Sequence, residues 1–225
     1  MSIARGTLLT LLDEVADAAN SPRWGDTLKR QLLGEVHWRE WRDLLNANRM
    51  LRVAVRTVAT DSDGRFDKTD LNSGSGDSTE TFFRILNVRQ GNLFYQVAKY
   101  EDYPISPTAV NLPNVWYEFG DQIQLIPAAG GNDVIVAVNH LPQRADLLTD
   151  NTSSVVFPDG YEMVLAYETA AAMFMKGAAE SNLAAEMRQM ASVLRDRMHQ
   201  DVARITVRPM RMGYLDDKYD WGSAG

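Results

Sequence analysis

The sequence contains no cysteine, so the chain forms no disulfide bond, binds no metal through a thiolate and has no cysteine nucleophile. Basic side chains are also outnumbered, since 23 lysines and arginines stand against 30 aspartates and glutamates, for a formal net charge of -7. A surface that neutralises nucleic-acid phosphates needs clustered basic groups. The charge balance therefore argues against a protein that grips DNA or RNA.

Long apolar runs are missing as well. The leucine-rich run at 8–12 is ended by Asp13 and Glu14, and the apolar stretch at 163–175 is interrupted by Glu168. A helix that crosses a bilayer needs about 20 predominantly apolar residues, and the first run is too short for a secretory signal. We expect neither a signal peptide nor a membrane span.

Candidate metal-ligating and catalytic residues do not converge. His37, His140 and His199 lie on three different predicted elements, without the spacing of an H-E-x-x-H motif, and are interpreted as surface or capping side chains. The segment 61–64 has the sequence Asp-Ser-Asp-Gly of a calcium loop, but Asn72 stands where such a loop needs glutamate. We therefore predict no catalytic, metal-binding or cofactor-binding residue.

Two tryptophans on the second predicted helix could stack on bases of a single-stranded nucleic acid. These are Trp38 and Trp41, interleaved with Arg39 and Arg42. The acidic neighbours Glu35, Glu40 and Asp43 would repel phosphate. Indoles that belong to the core, with a rim of mixed charge, are the favoured interpretation.

Apolar residues recur at helical spacing in four segments and alternate with polar residues in shorter ones. The predicted helices cover 7–20, 26–48, 161–176 and 178–204, and the predicted strands cover 51–57, 81–88, 93–100, 115–119, 122–126 and 134–140. The third helix is apolar around nearly its whole circumference, as expected at the centre of a domain. In the first strand, Val53, Val55 and Thr57 share one face of a half-buried strand.

These elements predict an α+β fold. An N-terminal helix pair and a C-terminal long helix pair form an α-helical core, and an antiparallel β insertion and an extended C-terminal arm complete the chain. The expected domains are a helical core of 1–50 and 155–204, a β-rich insertion domain of 51–154, and an arm of 205–225.

The segment 61–80 is rich in glycine, serine and aspartate, and it lacks the apolar residues that would let it pack on itself. We predict that it is a flexible loop of the insertion domain. Its acidic residues include Asp61, Asp63, Asp67, Asp70 and Asp77.

Several short patterns follow one another in a distinctive order along nearly the whole chain. They are Pro22-Arg23-Trp24, Phe82 to Val88, Trp116 to Pro127, Val134 to Pro142, Leu147 to Ser154 and Pro158 to Tyr161. In this order, between an N-terminal helix pair and a C-terminal helix pair, they resemble the head-to-tail adaptor family of tailed bacteriophages, the connector or neck proteins. The acidic stretch 61–80 and the tail after Arg204 depart from the family pattern.

The resemblance implies a virion structural protein that is not an enzyme and has no cofactor. Copies would form a homo-oligomeric ring of about twelve beneath the portal, connect the capsid to the tail and line the channel for DNA ejection. The implied partners are the portal protein and a tail or tail-completion protein, while DNA passes without specific binding because acidic walls oppose sticking. The protein would be made in the host cytoplasm and located in the head-tail neck.

The arm contains aromatic and methionine side chains that are costly to leave in water, and its helix-breaking residues prevent a regular element within the same subunit. These apolar side chains therefore need a partner surface to bury them. We predict that it becomes ordered on a neighbouring adaptor subunit or on the portal. The predicted interface residues are Arg208, Met210, Arg211, Tyr214, Tyr219 and Trp221.

Two other classes remain open at this point. Another virion neck or tail protein, such as a head-completion or tail-tube subunit, is the nearer alternative, although tail-tube subunits are dominated by β structure. A small-molecule-binding or hydrolytic enzyme is the other, and it would need a pocket in which titratable groups converge.

Overall fold

The computed structural model describes residues 2–17, 24–72, 80–98, 114–128, 130–148, 150–176 and 181–207, except for the side chains of Ser2 and 205–207. The chain divides into two compact units, Met1–Leu51 with Gln143–Gly225 and Arg52–Pro142. We call them the helical unit and the sheet unit. The second boundary lies at 142/143, earlier in the chain than the predicted boundary at 154/155.

The helical unit contains the four long helices of the described residues, and elements are numbered in chain order through both units. The helices are α1 (Arg5–Ala16), α2 (Asp26–Ala47), α3 (Glu162–Lys176) and α4 (Ser181–Val207). A short antiparallel pair, β1 (Ser2–Ala4) with β9 (Ser154–Val156), joins the start of the chain to the segment before α3. This pair was not predicted. No helix in the described ranges is both long and apolar enough to cross a membrane.

The central element of the helical unit is α3, which packs against α1, α2 and α4. Its Ala170 and Ala171 are completely buried, and Met173 fills the core beside them. Small side chains let neighbouring helices approach closely. A helix that is apolar on all sides removes its side chains from water only when other elements enclose it.

The sheet unit is built around seven strands. They are β2 (Val53–Ala59), β3 (Arg65–Asp67), β4 (Thr81–Gln90), β5 (Leu93–Val97), β6 (Val115–Phe119), β7 (Gln122–Ile126) and β8 (Asp133–Leu141). Their order across the sheet is β2-β8-β4-β5-β6-β7-β3. All neighbours are antiparallel except β5 and β6, which are parallel.

The sheet is curved into a nearly closed, barrel-like form. Its two end strands, β2 and β3, follow each other in the chain, and only residues 60–64 connect them. Val58 of one end strand and Phe66 of the other therefore reach the same apolar core, which also contains the completely buried Leu71. A 3₁₀ helix at Lys68–Leu71 carries this leucine.

The predicted fold class is wrong. An α-helical core with an antiparallel β insertion would leave the β segment subordinate to the helices, whereas the sheet unit is large, mixed and has a core of its own. The error has two physical sources. Period-two patterning reports that a strand is half-buried but not the direction of its neighbour, so the parallel pair was missed.

The second source is the polar stretch 61–80, where no regular structure was predicted. Residues 65–71 instead form β3 and the 3₁₀ helix, because Phe66 and Leu71 are enough to anchor so short a segment in a core. In β2 the residues facing the core are Ala54 and Val58, while Val53 and Val55 face outward. The more apolar face of the strand is thus the exposed one.

Candidate interaction surfaces

A buried ion cluster joins α2, α3 and α4. The carboxylates of Glu40 and Glu168, with side chains 0% and 7% exposed, share the guanidinium of Arg195. Arg195 donates from Nε and Nη2 to the two oxygens of Glu40 at 2.8 and 2.7 Å, and from Nη2 to Glu168 at 2.5 Å. Hydrogen bonds to Glu40, and then to Glu168, raise the pKa of Arg195 above its ordinary value.

Arg39 completes the cluster from the surface. Its Nη2 donates to Glu168 at 2.6 Å and to Glu40 at 3.3 Å, while half of its side chain stays exposed. Two carboxylates are thereby balanced by two guanidinium groups, which is the condition under which buried charges are tolerated. The cluster fixes three helices relative to one another and presents no unpaired carboxylate for acid-base chemistry.

A shallow groove of about 400 Å³ lies on the outer side of α2. It is lined by Glu35, Trp38, Arg39, Arg42, Asp43, Asn46 and Arg144. The guanidinium of Arg144 lies 5.5 Å from the ring centre of Trp38 and is held by Asp146 at 2.8 and 2.9 Å. Arg39 and Arg144 are thus paired with carboxylates, and the mixed charge predicted around these tryptophans is present.

The second tryptophan of α2 points into the core. Trp41 is 5% exposed, and its Nε1 donates to the carbonyl oxygen of Val156 at 2.8 Å. His37 Nε2 lies 2.8 Å from the same oxygen, and both rings contact Phe157. The core interpretation fits Trp41, whereas Trp38 is half-buried at the groove.

The three histidines lie on three different elements, as predicted, but two of them are buried. His37 is fully buried, and His140 is buried with Nε2 at 2.6 Å from the carbonyl oxygen of Leu71, so the surface interpretation is wrong for both. His199 is half-buried on α4. No group of three metal-ligating side chains that could hold an ion occurs among the described residues.

An exposed apolar stripe runs along α4. The buried side of this helix carries Ala184, Ala191 and Met198, which recur every seven residues. Leu183 and Met190 lie on a neighbouring side, roughly 90° away at 100° per residue, and are 43% and 49% exposed. The apolar side chains of α4 therefore occupy a wider arc of the helix surface than the part that packs against α3.

The sheet unit also exposes apolar side chains. Leu93 and Phe94 follow the turn between β4 and β5 and are 53% and 54% exposed, and Val97 at the end of β5 is 72% exposed. Exposed apolar side chains grouped in this way are typical of interaction surfaces.

The acidic residues of 61–72 serve the local backbone. Asp61 Oδ1 accepts hydrogen bonds from the backbone N–H groups of Asp63 and Arg65, and Asp67 forms a capping box with Asp70 across the 3₁₀ helix. Such bonds order a turn without apolar packing. Asp77 lies outside the described residues, as do the predicted arm residues Arg208, Met210, Arg211, Tyr214, Tyr219 and Trp221.

Comparison with protein families gives a match over residues 6–213, and the matched family is described as SU10 adaptor protein. The chain belongs to the SU10 adaptor family. No curated protein gives a significant match to it. This adaptor is therefore a phage structural protein, as the resemblance read from the sequence implied. Membership of this family implies interaction with other phage structural proteins.

Sequence reasoning missed two residues that shape the helical unit of this adaptor. Arg5 is 1% exposed and holds residues 145–151 against α1 through the carbonyl oxygens of Ala145 and Leu148, at 3.3 and 2.6 Å. Gly34 gives Asp146 room beside α2, since a Cβ there would lie 2.0 Å from Oδ1 of Asp146. A glycine in the middle of a strong helix pattern was the available signal for close approach.

Proposed function

We propose that this protein is a head-to-tail adaptor whose copies close into a ring beneath the portal, connect the capsid to the tail and line the channel for DNA. The observation that carries the proposal is the exposed apolar stripe on α4 in a member of a phage structural adaptor family. A ring requires a surface that binds a different surface of the next copy. The stripe supplies such a surface.

Buried charges of the helical unit support a mechanical role. Glu40 and Glu168 are engaged with Arg39 and Arg195, and Lys29 donates from Nζ to Asp13 at 2.5 Å to tie α2 to α1. Catalytic groups are usually kept available in a cleft with perturbed pKa values. Here the buried charges are used to fix helices, which suits a subunit that transmits force and not one that performs chemistry.

The net charge of -7 supports a channel through which DNA moves. A basic wall would form many simultaneous contacts with phosphates, and each would slow sliding. An acidic wall repels phosphate at distances within about 10 Å at moderate salt. The proposed partners are the portal protein on one side, a tail or tail-completion protein on the other, and neighbouring copies of the adaptor within the virion neck.

The α4 contact is tested by adding charge to the stripe. Leu183→Glu with Met190→Glu places two carboxylates on the exposed apolar side, and Ala185→Glu with Ser192→Glu adds the same two, at the same spacing, on another exposed side of the helix. We expect both variants to keep the melting temperature of the parent. Only the first should fail to form rings on purified portal in sedimentation or electron microscopy, because buried like charges oppose association.

The proposed α4 contact fails if the stripe variant assembles on portal as well as the parent does. Loss of assembly in both variants would also contradict it, because the effect would then follow the added charge and not the side of the helix.

A further inference from the structure

The two end strands of the sheet differ in how well they resist pairing with another chain. β3 has three residues, two of which are the charged Arg65 and Asp67, and very short charged edges discourage association. β2 has seven residues and carries Val53 and Val55 with 39% and 63% exposure. A long end strand with apolar outward side chains is suited to receive an added strand.

The backbone of β2 has N–H and C=O groups that point away from β8, as such pairing requires. At its two ends, His140 N–H donates to the Arg52 carbonyl oxygen at 3.3 Å and Thr60 N–H donates to the Asn132 carbonyl oxygen at 3.4 Å. In an antiparallel pair, hydrogen-bonded residues alternate with residues whose N–H and C=O point the other way. The register with β8 therefore directs the backbone groups of Val53, Val55 and Thr57 away from β8.

These same three residues place their side chains on the outer face, where all three are exposed. The described backbone hydrogen bonds outside regular elements involve none of their N–H or C=O groups. An incoming strand could thus gain hydrogen bonds from the edge and apolar contacts from the face, which together supply affinity and register.

We propose that residues 210–214 of a neighbouring copy add to β2 as an eighth strand. This inference rests on the proposed ring. The segment reads Met-Arg-Met-Gly-Tyr, so Met210, Met212 and Tyr214 share one face of an extended chain. Pro209 disfavours continuation of α4 and directs the preceding residue to extended backbone. The alternation is too short to predict a strand alone, but it matches the outward row of β2.

A second copy is the chosen occupant because strand addition from one copy to the next is a head-to-tail contact, and such contacts close into rings. In the antiparallel register that centres Met212 on Val55, Tyr214 lies opposite Val53 and Met210 lies opposite Thr57. Each pair joins an apolar or β-branched side chain to an apolar one, the combination that stabilises neighbouring strands.

The absence of cysteine from this chain makes the test direct, because every thiol of the subunits is an introduced one. One set of subunits carries Val55→Cys, and a second set carries one cysteine substitution at 210, 211, 212, 213 or 214. The two sets are mixed with purified portal and oxidised, and denatured samples are analysed without reductant. We expect the highest yield of cross-linked dimers from 212. The yield should be several-fold lower from 211 and 213, whose thiols lie on the other face, and from 210 and 214, which lie two residues along the strand from the position opposite residue 55.

Rings without this maximum at 212, or without cross-links, would overturn strand addition and leave the proposed adaptor ring intact. Subunits that carry Val55→Cys and Met212→Cys together show whether the bond forms within one chain, and a monomeric cross-linked product would overturn the choice of a second copy. If no ring forms on portal, both proposals fail. The melting temperature of each variant confirms that the subunits remain folded.

Discussion

The helical unit and the sheet unit differ in the kinds of side chain that they bury in their cores. Among the described residues, every buried arginine, lysine and glutamate lies in the helical unit, where Arg5, Lys29, Glu40 and Glu168 are 6% exposed or less. The sheet unit buries apolar side chains from all seven strands, and its buried polar residues are uncharged amides, a threonine and a histidine. Charge is thus buried only in the unit whose separate helices and connecting segments must be held together.

This difference follows from where backbone hydrogen bonds go. Strands are joined to their neighbours by backbone bonds, so register is fixed by the sheet itself. Helices satisfy their backbones internally and can slide on apolar surfaces, so directional side-chain bonds help to select one arrangement. The cluster of Glu40, Glu168, Arg39 and Arg195 has that role here, and four predictions test the contrast.

The largest effect is expected from a charge placed at the centre of the helical unit. Ala171→Asp would bury an unpaired carboxylate in α3, where Ala171 is completely buried. An uncompensated buried charge costs several kcal/mol, roughly 3–5, which is enough to unfold many domains. Circular dichroism melting would measure it. Ala185→Asp on the exposed side of α4 is the control, and an unchanged melting temperature for Ala171→Asp would refute the central position of α3.

Removing a cation from the ion cluster should come next. Arg195→Met leaves Glu40 and Glu168 with Arg39 alone, and we expect a loss of about 3 kcal/mol in the free energy of unfolding. Arg188→Met removes an exposed arginine from the same helix and should change it by less than about 0.5 kcal/mol. Adding Glu40→Gln and Glu168→Gln to Arg195→Met should recover part of the loss. Equal effects of the two arginine substitutions would contradict the structural role of the cluster.

A smaller effect is expected from a cavity in the sheet unit. Val136→Ala removes two methyl groups from a completely buried position and should cost about 2 kcal/mol. Native-state hydrogen exchange should show lost protection in the sheet unit, with amides of α3 unchanged. Val97→Ala is the exposed control. Equal loss of protection in both units would show that they unfold together.

The smallest effect concerns the close approach at Gly34. Gly34→Ala gains helix propensity, up to about 1 kcal/mol, but its Cβ would displace Asp146 from Arg144, and overpacking costs about 1–3 kcal/mol. We expect a net loss of about 1 kcal/mol in denaturant titration. Adding Asp146→Ala removes the clash and should make the alanine at 34 neutral or stabilising. A stabilised single variant would show that the approach at Gly34 is not restrictive.

Helices were predictable because their periodic apolar faces persist over several turns. The second predicted helix, 26–48, agrees with α2 to within one residue, and the all-round apolar pattern of 161–176 indicated a buried α3. What this pattern could not reveal was the ion cluster. Glu40 and Arg195 are far apart in the chain, and neither occurs in a motif that predicts their contact.

The sheet was less predictable because its arrangement depends on distant pairings. Hairpins such as β6 and β7 were evident from their turn, but the parallel contact of β5 with β6 leaves no local signal. The pattern of Val53 and Val55 wrongly indicated a core-facing side of the strand. Apolar side chains on an end strand can face a partner and not the core. The family order of segments was visible in the sequence, whereas the α4 stripe needed the structure to separate it from the buried side.

Electron microscopy of the purified protein, alone and mixed with purified portal, tests the central proposal most directly. The adaptor account predicts closed rings of the protein seated on one face of the portal, with an open channel on the common axis. A protein that remains a single subunit in both samples, with portal particles unchanged, would contradict it.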